Sequence, residues 1–313
     1  MHPILDHTII SERYFYPQRA ALSGAVMVET PEGPLACWRS APPSNKPVVV
    51  HFHGNGELVH HWIPDFVPSI QKMGYEVFLA EYRGYGASAG KPRLGAMLND
   101  VSAIVKAVGV PPQHMVAFGR SVGSIYAIEM AHRFPEIAGL VLESGIADVL
   151  QRLLLRMEPQ ELGCTPKALK DAVLKHLDHQ TKLKGFQQPL LVLHAEGDNL
   201  VTIDHAEANY RWSASLQKKF VRFERGDHNS ILAVNYAEYL QEVHGFLAAV
   251  RPLTTLTRLE ILAAIEQLES LRQRRLRGLD DGRFVRDVIE EMDAELKRLK
   301  TQLASMQKDD GTP

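Results

Sequence analysis

The stretch that decides the reading of this chain is Met115-Val116-Ala117-Phe118-Gly119-Arg120-Ser121-Val122-Gly123-Ser124. An apolar run, His114 to Phe118, predicts a buried strand. A helix-forming segment follows from about 122 to 133, with the small residues Ser124 and Ala127 near its start. Between them Ser121 stands two residues from a glycine on either side. A sharp strand-to-helix turn pushes such a serine out of the backbone, and the glycines leave room for the turn. Glycine is common enough that G-x-S-x-G arises by chance. The strand-turn-helix context gives the motif its weight.

The same rhythm extends outward in both directions. Val48 to Phe52, Tyr75 to Ala80, Gly139 to Leu142 and Leu190 to His194 are further apolar runs of strand length. Helical segments near 60–73, 95–109 and 203–213 alternate with them, and a strand near 219–224 and a helix near 230–249 close the series. Apolar runs without period-two alternation are strands buried on both faces, as in a parallel sheet covered by helices. Residues 22–29 and 34–40, around Thr30-Pro31-Glu32-Gly33-Pro34, predict a hairpin that adds an antiparallel edge. The expected class is α/β, a mostly parallel central sheet with helices on both faces.

Two segments depart from that rhythm. The connection 145–187 is too long for a simple crossover and reads as a small helical cap, with one helix around Val149, Leu150, Leu153, Leu154, Leu155 and Met157 and a second near 166–177. Long insertions of this kind are either functional lids or ordinary helical packing. The other departure is 252–307, an extension beyond a body of 1–251. There Leu253, Leu256, Leu259, Leu262, Ile265, Leu268 and Leu271 recur every third residue, a spacing that drifts around a helix and predicts cover on more than one side. After Gly278-Leu279-Asp280-Asp281-Gly282, the positions Val285, Ile289, Met292, Leu296, Leu299, Leu303 and Met306 form a heptad seam. The two helices predict an antiparallel hairpin. Arg272, Arg274, Arg275 and Arg277 end its first helix and Asp287, Glu290, Glu291 and Asp293 begin its second, both suiting the helix dipoles. An exposed face of the hairpin would pair two copies into a homodimer, or the hairpin would fold back on its own 1–251 body; the every-third pattern accommodates either. Residues 308–313 read as a disordered tail.

The remaining chemistry falls at the ends of predicted strands. His53-Gly54-Asn55-Gly56 follows the first buried strand, where a glycine-rich loop can aim a backbone N–H at a developing oxyanion. The N–H groups of Asn55 and Val122 are the expected donors. His51 and His53 could instead form an H-x-H metal pair, but no further ligand set follows in a familiar order. Gly197-Asp198 and Gly226-Asp227-His228-Asn229 end two later strands in the order acid then histidine. Asp198 is the expected acid and His228 the expected base, with Glu196 and Asp227 as fallback carboxylates. Arg83, in Tyr82-Arg83-Gly84-Tyr85-Gly86, reads as a structural residue.

On these five motifs the chain resembles the α/β-hydrolase fold serine hydrolases over about residues 20–250, within them an esterase-like branch that includes acyl-protein thioesterases. The resemblance implies ester or thioester cleavage through an acyl-serine, with Ser121, Asp198 and His228 as triad and no metal or organic cofactor. The branch commonly has Ala after the oxyanion-loop Asn, where this chain has Gly56, and the helical extension is foreign to the minimal fold. The Leu-rich 146–157 segment suggests a substrate, small molecule or acyl-protein, with an apolar acyl part. A peptidase or amidase of the same fold, and a non-catalytic binding protein that keeps the fold, are the alternatives.

Bulk properties agree. The 313 residues carry a formal charge of -2, with 45% hydrophobic and 23% charged residues. Neither nucleic acid nor an acidic membrane is favoured as a partner. Two cysteines, Cys37 and Cys164, form no metal or redox motif. No signal peptide or bilayer-length apolar run is evident, so a cytoplasmic protein is expected.

Overall fold

A computed structural model describes residues 2–252, 256, 258–277 and 284–309. The chain divides into two compact units, Met1–Val250 and Arg251–Pro313.

The first unit is built on eight strands. They are β1 (Val26–Val28), β2 (Leu35–Arg39), β3 (Val48–Phe52), β4 (Glu76–Ala80), β5 (Met115–Arg120), β6 (Gly139–Glu143), β7 (Leu190–Ala195) and β8 (Lys218–Phe223), in the spatial order β1-β2-β4-β3-β5-β6-β7-β8. The opening hairpin lies antiparallel at one edge, and every pairing from β4 to β8 is parallel. Successive side chains leave a strand on opposite faces. Val48, Val50, Ala117, Leu140 and Val192 thus enter one core, and Val49, Val116, Val141 and Leu191 the other. This double burial is why the central strands read as unbroken apolar runs.

Helices cover both faces. In chain order they are α1 (Thr8–Tyr14), α2 (Val59–Trp62), α3 (Phe66–Lys72), α4 (Met97–Val108), α5 (Gly123–Arg133), α6 (Val149–Leu154), α7 (Pro166–Leu177), α8 (His179–Gly185), α9 (Ile203–Trp212), α10 (Ile231–Val234) and α11 (Tyr236–Val250). The single helix expected near 60–73 is two, because Pro64 between them supplies no N–H to a carbonyl one turn back. The helix expected at 230–249 is interrupted at Asn235, whose side-chain amide donates to Ile231 O and Arg225 O. Helix α1 was not expected from the sequence. It buries Ile10 and Tyr14, and its His7 side chain caps Ile9 N. The 145–187 segment carries α6, α7 and α8.

β3 pairs with β4 on one side and β5 on the other, so the chain reverses its direction of winding there. Such a switch point opens a crevice beyond the carboxyl ends of the strands. The loops after β3, β5, β7 and β8 all end on that side.

The second unit holds α12 (Arg258–Arg277) and α13 (Phe284–Asp309). They run antiparallel, with ion pairs Arg272–Asp293 and Lys300–Glu269. Their shared core is Ile261, Ile265, Leu296 and Leu299, with Leu256, Leu268, Leu303 and Met306 packed beside it. The every-third stripe forms only part of this core, through Ile265 and, beside it, Leu256 and Leu268. Leu259, Leu262 and Leu271 are exposed, and Ile261, outside that stripe, is fully buried. A step of three residues turns back about 60° on a helix, so the stripe leaves the contact face within two steps. The expected Gly278–Gly282 break, Leu253, the side chains of Arg274, Arg275, Arg277, Val285 and Asp287 and most of the 308–313 tail lie outside the described residues. Among the described residues no helix is long and apolar enough to cross a membrane.

Candidate active site

Ser121 follows β5 in a left-handed conformation, φ 52°. Its N–H donates to Glu143 O and its C=O accepts from Ser124 N and Ser124 Oγ, which lock the turn. The flanking glycines are sterically required. A Cβ on Gly123 would lie 2.0 Å from Phe52 O, and one on Gly119 would lie 2.6 Å from Ser124 Cα. Helix α5 starts immediately behind the serine, placing the positive end of its dipole there.

His228 and Asp198 arrive from the loops after β8 and β7. His228 Nε2 lies 2.9 Å from Ser121 Oγ, and Nδ1 lies 2.7 Å from Asp198 Oδ2. An ionised carboxylate only accepts, so Nδ1 carries the hydrogen and Nε2 faces the hydroxyl with its lone pair. Asp198 also accepts through Oδ1 from Leu200 N and Val201 N. Burial raises its pKa, but the bond from His228 and the Val201 N–H outweigh that and hold it below the usual carboxylate range. All three side chains are buried.

The fallback carboxylates are elsewhere. Glu196 is exposed. Asp227 is exposed too, and it shapes the histidine loop by accepting from Asn229 N, Ser230 N and Ser230 Oγ.

Asn55 and Val122 line one pocket of about 130 Å³ together with Ser121 and His228. Among the described residues neither backbone N–H has a protein acceptor. The Asn55 side chain is an anchor: Oδ1 accepts from Tyr16 N and Tyr85 Oη, and Nδ2 donates to Tyr14 O. The loop is held from below by His53, whose Nε2 lies 2.6 Å from Glu81 Oε1, both buried. His51 instead packs among Trp62, Phe66 and Phe118. Among the described residues no group of three possible ligands could hold a metal ion. Arg83 is paired inside the fold, bidentate with Asp100 and in an ion pair with Glu32.

Sequence reasoning missed four parts of the site. Arg120, the variable residue before the serine, is buried; it donates to Glu143 Oε1 and Glu57 Oε1 and, at 2.7 Å, to His228 O. Burial lowers its pKa, but Glu57 and Glu143 outweigh that and keep it raised. Glu57 also accepts from Gly54 N, so one guanidinium ties the histidine loop to the oxyanion loop. Tyr14 and Tyr16, around the end of α1, form part of the pocket wall, as do Arg152 and Arg156 from the cap. A charged residue between an apolar strand and the serine was the available sign for Arg120. Nothing in the sequence marked the others.

The Leu-rich cap segment does not offer its leucines to the pocket. Val149 and Leu153 enter the core, Leu154 and Leu155 are exposed, and the segment contributes Ile146, Arg152 and Arg156 to the wall. The leucines that suggested an apolar acyl site thus do not line this pocket, whereas Arg152 and Arg156 do.

Comparison with known proteins agrees with the architecture. A family model described as serine aminopeptidase, S33 matches residues 43–163. Alpha/beta hydrolase domain-containing protein 17C of mouse is 25% identical over 215 residues, 67% of this chain and 62% of that protein. The uncharacterized protein YfhR of Escherichia coli is 25% identical over 213 residues, 65% of this chain and 71% of that protein. Thus the chain spans less than two thirds of the length of the 17C proteins, 62% in mouse and 60% in human. Among solved structures, an esterase of Pyrococcus furiosus superposes with a TM-score of 0.58 at 19% identity, covering 74% of this chain and 98% of that one. These likenesses accord with the sheet order and the parallel pairing of β4 to β8, and the chain has the α/β-hydrolase fold.

Proposed function

We propose that the protein is a serine hydrolase that cleaves carboxylic ester or thioester bonds through an acyl-serine intermediate. The observation that carries this reading is the continuous relay Ser121 Oγ, His228 Nε2, His228 Nδ1, Asp198 Oδ2, at 2.9 and 2.7 Å, on a strained turn. His228 takes the hydroxyl proton as Oγ attacks the carbonyl carbon. The N–H groups of Asn55 and Val122 receive the oxyanion, and Asp198 steadies the imidazolium. His228 then protonates the leaving alcohol or thiol, and water, activated the same way, releases the acid and restores Ser121.

The family model's description favours a second reading, an aminopeptidase. An aminopeptidase must receive a cationic amino terminus. No Asp or Glu is among the described residues lining the pocket, and Arg152 and Arg156 are. Like charge there disfavours a peptide amine, so the ester reading is preferred.

The pocket, about 130 Å³, is well below the several hundred Å³ of ordinary small-molecule sites. Hydrolysis of 4-nitrophenyl acetate, butyrate and octanoate by wild type and Ser121→Ala tests the reading. Turnover highest for the short acyl groups, and lowered more than about 10⁴-fold in the variant, is expected. Turnover that survives in Ser121→Ala, or alanine-4-nitroanilide cleaved in preference to every ester, would overturn it.

A further inference from the structure

Three guanidinium groups reach the pocket wall, and they are not equivalent. Arg120 is saturated by Glu57, Glu143 and the His228 carbonyl. Arg152 is half-buried and makes no side-chain hydrogen bond or ion pair with any other described residue. Arg156 stacks over the Tyr16 ring, 5.3 Å from its centre, and donates only to neutral oxygens, Tyr16 Oη and Arg13 O. The nearby acid is already engaged, because Glu161 is paired bidentate with Arg13.

Among the described residues, therefore, the pocket contains two arginines without a carboxylate partner and no acidic lining residue. It also contains a buried donor without a partner: Tyr14 is 4% exposed, and its hydroxyl has no hydrogen-bond acceptor among the described residues. Both arginines lie close enough to Tyr14 to act on its hydroxyl, opposing the burial that pushes its pKa up to about 12. Guanidinium forks and a phenol hydroxyl all donate, and all match a carboxylate in geometry and charge.

We propose that the substrate carries a carboxylate beyond its scissile bond, and that Arg152, Arg156 and Tyr14 bind it. This deepens, and rests on, the serine-hydrolase reading of the same pocket. The small cavity accommodates a short linker between the reacting carbonyl and the anion. A cap that presents arginines to the site selects for charge, whereas one presenting leucines would select for chain length.

The test uses two pairs of esters, each pair one anionic and one neutral member of similar size. On the acyl side, the half-ester 4-nitrophenyl glutarate is compared with 4-nitrophenyl pentanoate. On the leaving-group side, 4-acetoxybenzoate is compared with 4-acetoxybenzamide. Each ratio of kcat/KM, anionic over neutral, is measured in wild type, Arg152→Gln, Arg156→Gln, Tyr14→Phe and the double arginine variant. A ratio taken within one preparation does not depend on how much of it is folded. At least one anionic member should be preferred about tenfold to hundredfold in wild type, the scale of a charge-assisted hydrogen bond. The ratio should fall toward one in the double variant, and which pair shows the preference assigns the carboxylate to the acyl or the leaving side. A wild-type ratio at or below one in both pairs, or a preference unchanged in the double variant, overturns the proposal.

Calorimetric titration of free glutarate separates this failure from that of the mechanism. Glutarate binding that needs the two arginines, with no Ser121-dependent turnover of any ester, would overturn the serine reading and retain the anion site. Ser121-dependent turnover with no charge preference would do the reverse.

Discussion

At Ser121 the backbone holds a non-glycine residue at φ 52°, a conformation that costs about 1–3 kcal/mol. Ser121→Gly should therefore raise the free energy of unfolding by about 1 kcal/mol, measured in urea, while abolishing activity. A variant both inactive and less stable would contradict strain stored for function. Asp198 acts one bond further back. Asp198→Asn keeps the shape but lets His228 take the wrong tautomer, and kcat should fall about 10⁴-fold. The pKa of Asp198 is depressed in the folded protein, so the stability it contributes is full above the ordinary carboxylate range, near pH 4. That stability is lost as pH falls through its own lower value. Urea midpoints of wild type and Asp198→Asn should converge between about pH 5 and pH 2, and a constant gap across that window would contradict the assignment.

Each element that holds the site presents one loop, and the loops are joined beneath it. β5 delivers the serine, β7 the acid, β8 the base and β3 the oxyanion loop. Arg120 links the last two. Arg120→Met should cost about 3–5 kcal/mol, because it leaves Glu143, which is fully buried, with no cation beside it. Arg120→Met combined with Glu143→Gln should recover part of that loss in thermal melts, and strict additivity of the two would contradict the pairing. The β5–α5 turn is less forgiving still. Gly123→Ala places a methyl group against Phe52 O, so the variant should lose activity and melt at a lower temperature. At this scale much was legible in the sequence. Strands buried on both faces announce themselves as apolar runs, and strand-end loops carry their polar residues in a recognisable order. The long-range partners were not legible. Glu57, 63 residues before Arg120, gave no local sign of the pairing, and Tyr14 and Tyr16 became wall residues only once α1 folded. Arg152 and Arg156 are masked in the sequence pattern by the three leucines between them.

Across the molecule, every described residue that lines the site belongs to the first unit. A chain ending at Val250 should therefore retain the ester kcat/KM within about twofold. The described core of the hairpin is small, and Leu259 and Leu262 remain exposed at 78% and 42%. Two helices with so little buried are marginal alone, and we propose that two copies pair through this face. Light scattering should report a dimer for the full chain and a monomer for the chain ending at Val250; monomers in both would contradict the pairing. The central claim is narrower, that Ser121 is a nucleophile activated by His228. Intact-protein mass spectrometry after exposure to a fluorophosphonate tests it most directly. One phosphonyl adduct on wild type, none on Ser121→Ala and greatly slowed labelling of His228→Ala are predicted. An unmodified wild type, or equal labelling of all three proteins, would contradict the account.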